Sequence, residues 1–258
     1  LFSNRSPFKV KTTTYKAGSV FSFSFTELEN PEYRVVFTPT LTQFFEFAVP
    51  TKNYLSATVL DDVKKSVLKY TYKNKMWTSE KVSLGQAGNT SIMAFSGESD
   101  QVYLNYTSFL NPTEFHFTDL NKNGSRKKVM TSPVRFNAKD FVAHQYKTKS
   151  SDGTVIPYFI VHHKNLKLDG SNPTLLYGYG GFEYALTPHY LGATGKAWVE
   201  KGGIYVLANI RGGGEYGPEW HQSVLKEKRQ LVFNDFYAIA EDLISRKITS
   251  PKHLGIMG

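Results

Sequence analysis

The chain has 258 residues, 40% hydrophobic and 21% charged, a globular composition that excludes a disordered tail, a collagen or a coiled coil. It has no cysteine, which rules out disulfide scaffolds, Cys-based zinc sites and thiol nucleophiles and fits a reducing compartment; the cytoplasm is favoured, with a secreted or periplasmic location left open. The net charge of +9 is spread over both halves, and no uncharged apolar run reaches the ~18 residues a membrane helix needs, so neither nucleic acid nor a bilayer is an expected partner.

Residues 1–135 read as β. Thr, Val, Phe and Tyr are abundant, and short apolar stretches alternate with turn residues. Strands are expected over 33–37 (YRVVF), 54–60 (YLSATVL), 66–72 (SVLKYTY) and 101–106 (QVYLNY). Turn signals fall at Asn30-Pro31, Asp61-Asp62, Lys73-Asn74, Gly97-Glu98 and 121–124. Only 25–29 has any helical character. The basic cluster 122–128 (KNGSRKK) lacks helical periodicity and interleaved aromatics, so it reads as a solvated loop between strands. Residues 53–84 run strand, acidic turn, strand, polar turn, strand, and 91–130 repeat the plan. A period near ~40 residues with three or four strands per unit suggests propeller blades, with an antiparallel sandwich as the plainer alternative.

From residue 136 the character changes. Strands are expected over 157–162 (PYFIVH), 173–177 (PTLLY), 203–210 (GIYVLANI) and 254–257 (LGIM). A helix is expected over 233–247, with Phe236, Ile239, Ala240, Leu243 and Ile244 on its apolar face and Asn234 and Asp235 in its first turn. Strand, glycine loop, helix, strand is the pattern of a mostly parallel α/β sheet.

Three segments of this half carry chemistry. LLYGYGGF (175–182) runs a buried strand into a glycine loop, which lets backbone approach a ligand, although by itself its plainer reading is a tight turn. No Gly-Lys-Ser/Thr follows, so it is not a phosphate loop. LANIRGGGEYG (207–217) places Arg211 and Glu215 at the mouth of another buried strand, where the plain reading is an Arg–Glu pair that braces the loop. It lacks the glycine spacing of a dinucleotide fingerprint. HLGIMG (253–258) is an apolar strand followed by glycine, as at the start of a nucleophile elbow, but the elbow's serine is not in the chain. His189, His221 and His253 read as packing or surface histidines. His, Asp and Glu could still ligate a metal, but neither a metal nor a cofactor is expected. Sequons occur at Asn89, Asn105 and Asn123, close to the number chance provides.

Taken in order, LLYGYGGF, ANIRGGGEYGPEWH, FNDFYAIAEDLI and TSPKHLGIMG resemble the prolyl oligopeptidase family of serine peptidases. The stretch SSDGTVIPYFIVHHKNLKLDGSNPTLLYGYGGF resembles that family's entry into its hydrolase domain. VLDDVKKSVLKYTY and YLNYTSFLNPTEFHF are similar to its last propeller blades. The resemblance is strongest over 136–258 and weaker over 1–52. It implies the C-terminal blades of an all-β propeller over 1–135, followed over 136–258 by the N-terminal part of an α/β-hydrolase domain, cut before the nucleophile elbow. Both ends therefore read as cut, with the rest of a longer chain as the remaining partner.

The resemblance also implies hydrolysis of short peptides after proline by Ser-His-Asp catalysis, with all three triad residues beyond Gly258, so that this chain alone is expected to be inactive. By position, Tyr179 matches the family's oxyanion-hole tyrosine and Phe182 a side chain that lines the substrate pocket. Arg211 and Glu215 are expected to shape the loop beside the site without taking part in catalysis. Two alternatives remain at this stage: a non-catalytic relative that acts as a binding scaffold, and the branch of the family that cleaves after Arg or Lys.

Overall fold

A computed structural model describes residues 1–82, 84, 88–122 and 126–258, which fall into two compact units. The first comprises Leu1–Tyr106, Glu114–Thr131 and Glu215–Glu219; the second comprises Thr107–Thr113, Ser132–Gly214 and Trp220–Gly258.

The first unit is built of small antiparallel sheets. β1 (Phe2–Ser3) pairs with β4 (Val20–Ser22), which pairs with β5 (Arg34–Phe37), while β2 (Phe8–Val10) and β3 (Thr13–Tyr15) form a separate hairpin. A single 3₁₀ turn, Phe25–Glu27, follows β4. Two four-stranded meanders come next, each ordered as in the sequence: β6 (Gln43–Pro50), β7 (Leu55–Asp61), β8 (Lys64–Lys73) and β9 (Met76–Val82), then β10 (Asn89–Phe95), β11 (Gln101–Thr107), β12 (Glu114–Asp119) and β13 (Arg126–Thr131). These are propeller blades, in which consecutive strands form one sheet and sheets stack face to face.

Stacking explains why β7 is buried along nearly its whole length although a strand covered on one face would alternate. Leu55, Ala57 and Val59 pack with Val20, Val36, Phe37 and Tyr70 on one side. On the other side of the sheet Val49 and Val67 join Ile92, Val102, Leu104, Tyr106 and Leu120. Small residues at Ser56, Ala57 and Thr58 let both neighbours approach. Buried Asp100 ties the two blades together: it accepts from Thr51 Oγ1 at 2.9 Å, Asn53 N at 2.8 Å, Asn53 Nδ2 at 2.5 Å and Asn121 Nδ2 at 3.2 Å. Burial alone would raise its carboxyl, but these donors hold it below the usual carboxylate range.

The turn at Gly97-Glu98 falls where the sequence signal puts it, while the turns after β7 and β8 lie one residue later than theirs. Asp62 and Val63 both have positive φ, as do Asn74 and Lys75, the paired left-handed geometry of two-residue hairpins. The first strand of the earlier blade, β6, has no counterpart among the sequence-based expectations. The basic cluster is not simply a loop: Arg126, Lys127 and Lys128 lie on β13, an exposed edge strand where lysines discourage pairing with another chain. Residues 123–125, which include the end of the expected 121–124 turn and the third sequon, lie outside the described residues. Asn89 is buried and accepts from Lys65 N at 2.8 Å, so the folded state hides that sequon.

The second unit holds a five-stranded sheet in the order β14 (Phe141–Lys149), β15 (Val155–His163), β17 (Ile204–Ala208), β16 (Thr174–Gly178), β18 (Leu254–Met257). It is mixed, not mostly parallel: β14/β15 and β15/β17 are antiparallel, while β16 runs parallel to β17 and β18. β14, the strand missed from the sequence, adds one antiparallel pair to that of β15 with β17. It is only half-buried and polar, and it enters through a hairpin at 150–153. Helices α1 (Gly192–Ala197) and α2 (Pro218–Gln222) are short, and α3 (Gln230–Ser245) is the long one. α3 begins three residues earlier than expected and buries Val232, Asp235, Ala238, Ile239 and Leu243. Asp235 therefore lies in the second turn and faces inward, where it meets a buried cation instead of complementing the helix terminus.

Candidate active site

The three parallel strands β16, β17 and β18 end at the same edge of the second sheet, and each delivers a glycine-bearing segment there. β16 leads into Tyr179-Gly180-Gly181-Phe182, β17 into Arg211-Gly212, and β18 into Gly258. Ligands of open α/β sheets collect at this edge. The loops are packed so closely that glycine is required at Gly180 and Gly212. Gly180 has φ +60°, and a Cβ there would lie 2.7 Å from Ile210 and 2.8 Å from Val232. Gly212 has φ +91°, and a Cβ there would lie 2.4 Å from the Gly180 carbonyl oxygen.

Tyr179 is 43% exposed, so its phenol is presented to solvent. Its ring stacks on Phe182 with 6.4 Å between centroids and meets Tyr184 edge-on at 6.1 Å. Phe182 is 87% exposed and, with Glu183, adopts the left-handed backbone region that bulky residues avoid. The loop is held there by Tyr184 N, which donates to Gly181 O at 3.0 Å, and Glu183 N, which donates to Gly212 O at 3.1 Å. His221 Nδ1 lies 2.7 Å from the same Gly212 oxygen and 3.1 Å from Glu183 N. The shorter contact fits an Nδ1–H donor, which leaves the Glu183 N–H to the carbonyl. Tyr177, Tyr179, Phe182, Tyr184 and Leu186 line a shallow aromatic cup of about 350 Å³. A second concavity of about 460 Å³ includes Gly178, Tyr179, Phe236, Tyr237, Met257 and Gly258.

Arg211 is only 4% exposed, and the carboxylates that neutralise it come from elsewhere in the chain. Its Nε and Nη2 bond Asp235 Oδ2 and Oδ1 at 2.9 and 2.6 Å, a bidentate pair, and its Nη1 reaches Asp152 Oδ2 at 2.6 Å. Asp235 is fully buried and also accepts from the Arg211 backbone N at 3.1 Å. Arg211 thus anchors the loop after β17 to α3 and to the β14–β15 turn. Glu215 is buried and groups with the first unit. The other histidines have local partners: His189 Nδ1 lies 3.1 Å from Thr187 O and His253 Nδ1 2.9 Å from Ser250 Oγ.

Asp235 leaves a trace in the sequence, because a carboxylate three residues after Val232 and four before Ile239 sits on the apolar stripe of its helix and needs a buried cation. Asp152, in a Ser-Ser-Asp-Gly turn, gives no such signal. The hydrogen bond from Arg211 draws the Asp152 carboxyl down to about 2, against the opposing effect of burial and with help from the Thr154 N–H. A depressed folded-state value means that the contribution is fully present above the unfolded value of ~3.9 and is lost as pH falls through about 2. Asp152→Asn is therefore expected to lower stability at pH 7 by about 1–2 kcal/mol, discounted because the carboxylate is a third exposed. The gap to wild type should begin to close below about pH 4. Urea unfolding of both proteins at pH 7 and pH 3 checks this, and a gap that does not shrink with acid would contradict it.

A sheet whose parallel strands converge on glycine loops, backed by a helix, together with four-stranded blades, defines an α/β-hydrolase-type enzyme core combined with a propeller. Two family models match: "Prolyl oligopeptidase, N-terminal beta-propeller domain" over residues 8–131 and "Prolyl oligopeptidase family" over residues 190–258. The chain belongs to the prolyl oligopeptidase family.

It is 42% identical over 252 residues to an uncharacterized peptidase of Sinorhizobium fredii, in an alignment that takes in 96% of this chain and 35% of that protein. It is 38% identical over 209 residues to the prolyl endopeptidase of Elizabethkingia meningoseptica, covering 80% of this chain and 28% of that protein. A post-proline cleaving enzyme from Rickettsia typhi superposes with a TM-score of 0.90 at 36% identity, over 99% of this chain and 38% of that one. The chain spans roughly a third of the length of the curated relatives it matches.

Proposed function

We propose that this chain is part of a serine peptidase that hydrolyses short peptides on the C-terminal side of proline, with the blade region over 1–135 and the hydrolase region over 136–258. The observation that carries this reading is the position of Tyr179 beside the end of β18. Tyr177 pairs with Met257, and a Cβ on Gly258 would lie 2.9 Å from Gly178 O. Tyr179 and Gly258 line one concavity, and the family pattern puts the nucleophilic serine two positions beyond Gly258.

In that arrangement the serine Oγ attacks the scissile carbonyl carbon and passes its proton to a histidine. The carbonyl oxygen, now negative, accepts a hydrogen bond from Tyr179 Oη and another from a backbone N–H. Collapse of the intermediate expels the amine, which takes the proton from the histidine. Phe182 offers a flat apolar wall to a proline ring, and Arg211 and Glu215 shape the neighbouring loop. The prolyl specificity of the relatives favours proline over a basic residue at the cleavage point.

The test is hydrolysis of a Gly-Pro fluorogenic peptide by the full-length protein, with an Arg peptide as comparison and an organophosphorus fluoride as inhibitor. Release from the Gly-Pro substrate, abolished by the inhibitor, is expected; the 258-residue chain alone should give none. Turnover of the Arg peptide alone, or of neither peptide, would overturn the reading.

A further inference from the structure

Arg229 stands outside every sequence motif and lies in a run of exposed charged residues just before α3. One of its guanidinium nitrogens nevertheless turns inward: Nη1 donates to the Gly180 carbonyl oxygen at 2.8 Å. Gly180 is the residue after Tyr179 and takes a left-handed backbone conformation, with Ile210 and Val232 closing on its Cα. The same carbonyl oxygen is the atom that a side chain at Gly212 would strike, so the peptide leaving Gly180 is clamped between the loop after β17 and the Arg229 guanidinium. Arg229 also joins Tyr179 in the lining of the concavity at the end of β18.

We infer that Arg229 is a positioning residue that fixes the oxyanion-binding phenol of Tyr179 through the Gly180 carbonyl, an inference that rests on the serine-peptidase reading. Tyr179 is half in solvent, and its ring contacts, Phe182 and Tyr184, are themselves exposed. The ring neighbours therefore cannot lock the phenol, and the backbone beneath it sets its place. The Gly180 carbonyl ties that backbone by a hydrogen bond to the residue that precedes α3. A donor displaced by ~1 Å from a developing oxyanion loses on the order of a hundredfold in rate, so a modest relaxation of the loop is enough to register. Lysine keeps a donor of similar reach, while methionine keeps the aliphatic stem and removes the donor.

The experiment is a double-mutant cycle in the full-length protein on a Gly-Pro fluorogenic peptide. Arg229→Met is expected to lower kcat by about tenfold with KM within twofold and an unchanged melting temperature, while Arg229→Lys keeps most of the activity. In a Tyr179→Phe background, Arg229→Met should change kcat by less than about twofold, because the group it positions is gone. An equal loss in both backgrounds, a rise in KM in place of a fall in kcat, or a full-rate Arg229→Met enzyme would each overturn the inference while leaving the serine-peptidase reading in place. A full-rate Tyr179→Phe enzyme would instead remove the oxyanion role and the inference with it.

Discussion

Arg211→Met is expected to cost the full-length protein about 3–5 kcal/mol of stability, the range for breaking a buried pair by removing one partner. The substitution keeps most of the side-chain volume but leaves Asp235, fully buried in α3, with only the backbone N–H of residue 211 among the donors that now hold it. Asp152 loses its partner too, but it is a third exposed and water can replace the guanidinium. The double variant Arg211→Met/Asp235→Leu should recover much of the loss, because replacing both charges by apolar groups removes the uncompensated one. Recovery should stop short of wild type, since the N–H of residue 211 then loses its acceptor. Urea midpoints at unchanged m-value measure this. A single variant within 1 kcal/mol of wild type would show that the pair contributes little beyond the volume it fills.

That cluster also marks where the sequence stops being informative. LLYGYGGF, GIYVLANI and LGIM each read as a strand from their apolar runs, and all three strands are present; only β17 is buried throughout, as a covered parallel strand would be, whereas β18 is largely exposed. The glycines after β16 and β17 point to crowded loops, and the crowding is real at Gly180 and Gly212. The pairing of Arg211 is different. A local rule offers the nearest acid in the chain, Glu215, whereas the bidentate partner Asp235 lies 24 residues on and Asp152 lies 59 residues back. Only the fold brings them together, because β14–β15, β17 and α3 meet at one place.

The blades show the same division. Strands β7, β8 and β11 are legible from β-branched and aromatic content. β6, with a proline at its end and phenylalanines at Phe44, Phe45 and Phe47 on both sides of a register shift, has no clean alternation, because the shift moves the face on which its residues point. β14 is polar because only half of it is covered. In each case periodicity failed where coverage, not local preference, decides which residues face inward. Arg229 gives no signal at all, since nothing local distinguishes it from the neighbouring Lys226 and Lys228.

Tyr179→Phe separates the chemistry from this scaffold. In the full-length protein it is expected to lower kcat on a Gly-Pro peptide by about a hundred- to a thousandfold, the loss typical of removing one oxyanion donor, with KM within about twofold. The phenol oxygen is the only atom removed, and the ring contacts with Phe182 and Tyr184 persist, so the melting temperature should not move. KM should hold because the hydrogen bond forms with a charge that develops only in the transition state. Phe182→Ala makes the complementary case: its exposed ring meets ground state and transition state alike, so KM for a prolyl substrate should rise while kcat changes less. If both variants instead shifted KM alone, the aromatic cup would be a binding surface and the oxyanion donor would have to be sought elsewhere. If Tyr179→Phe alone cut kcat, the phenol's place at the end of β16, and not merely its aromatic character, would be what the glycine loop is built to secure.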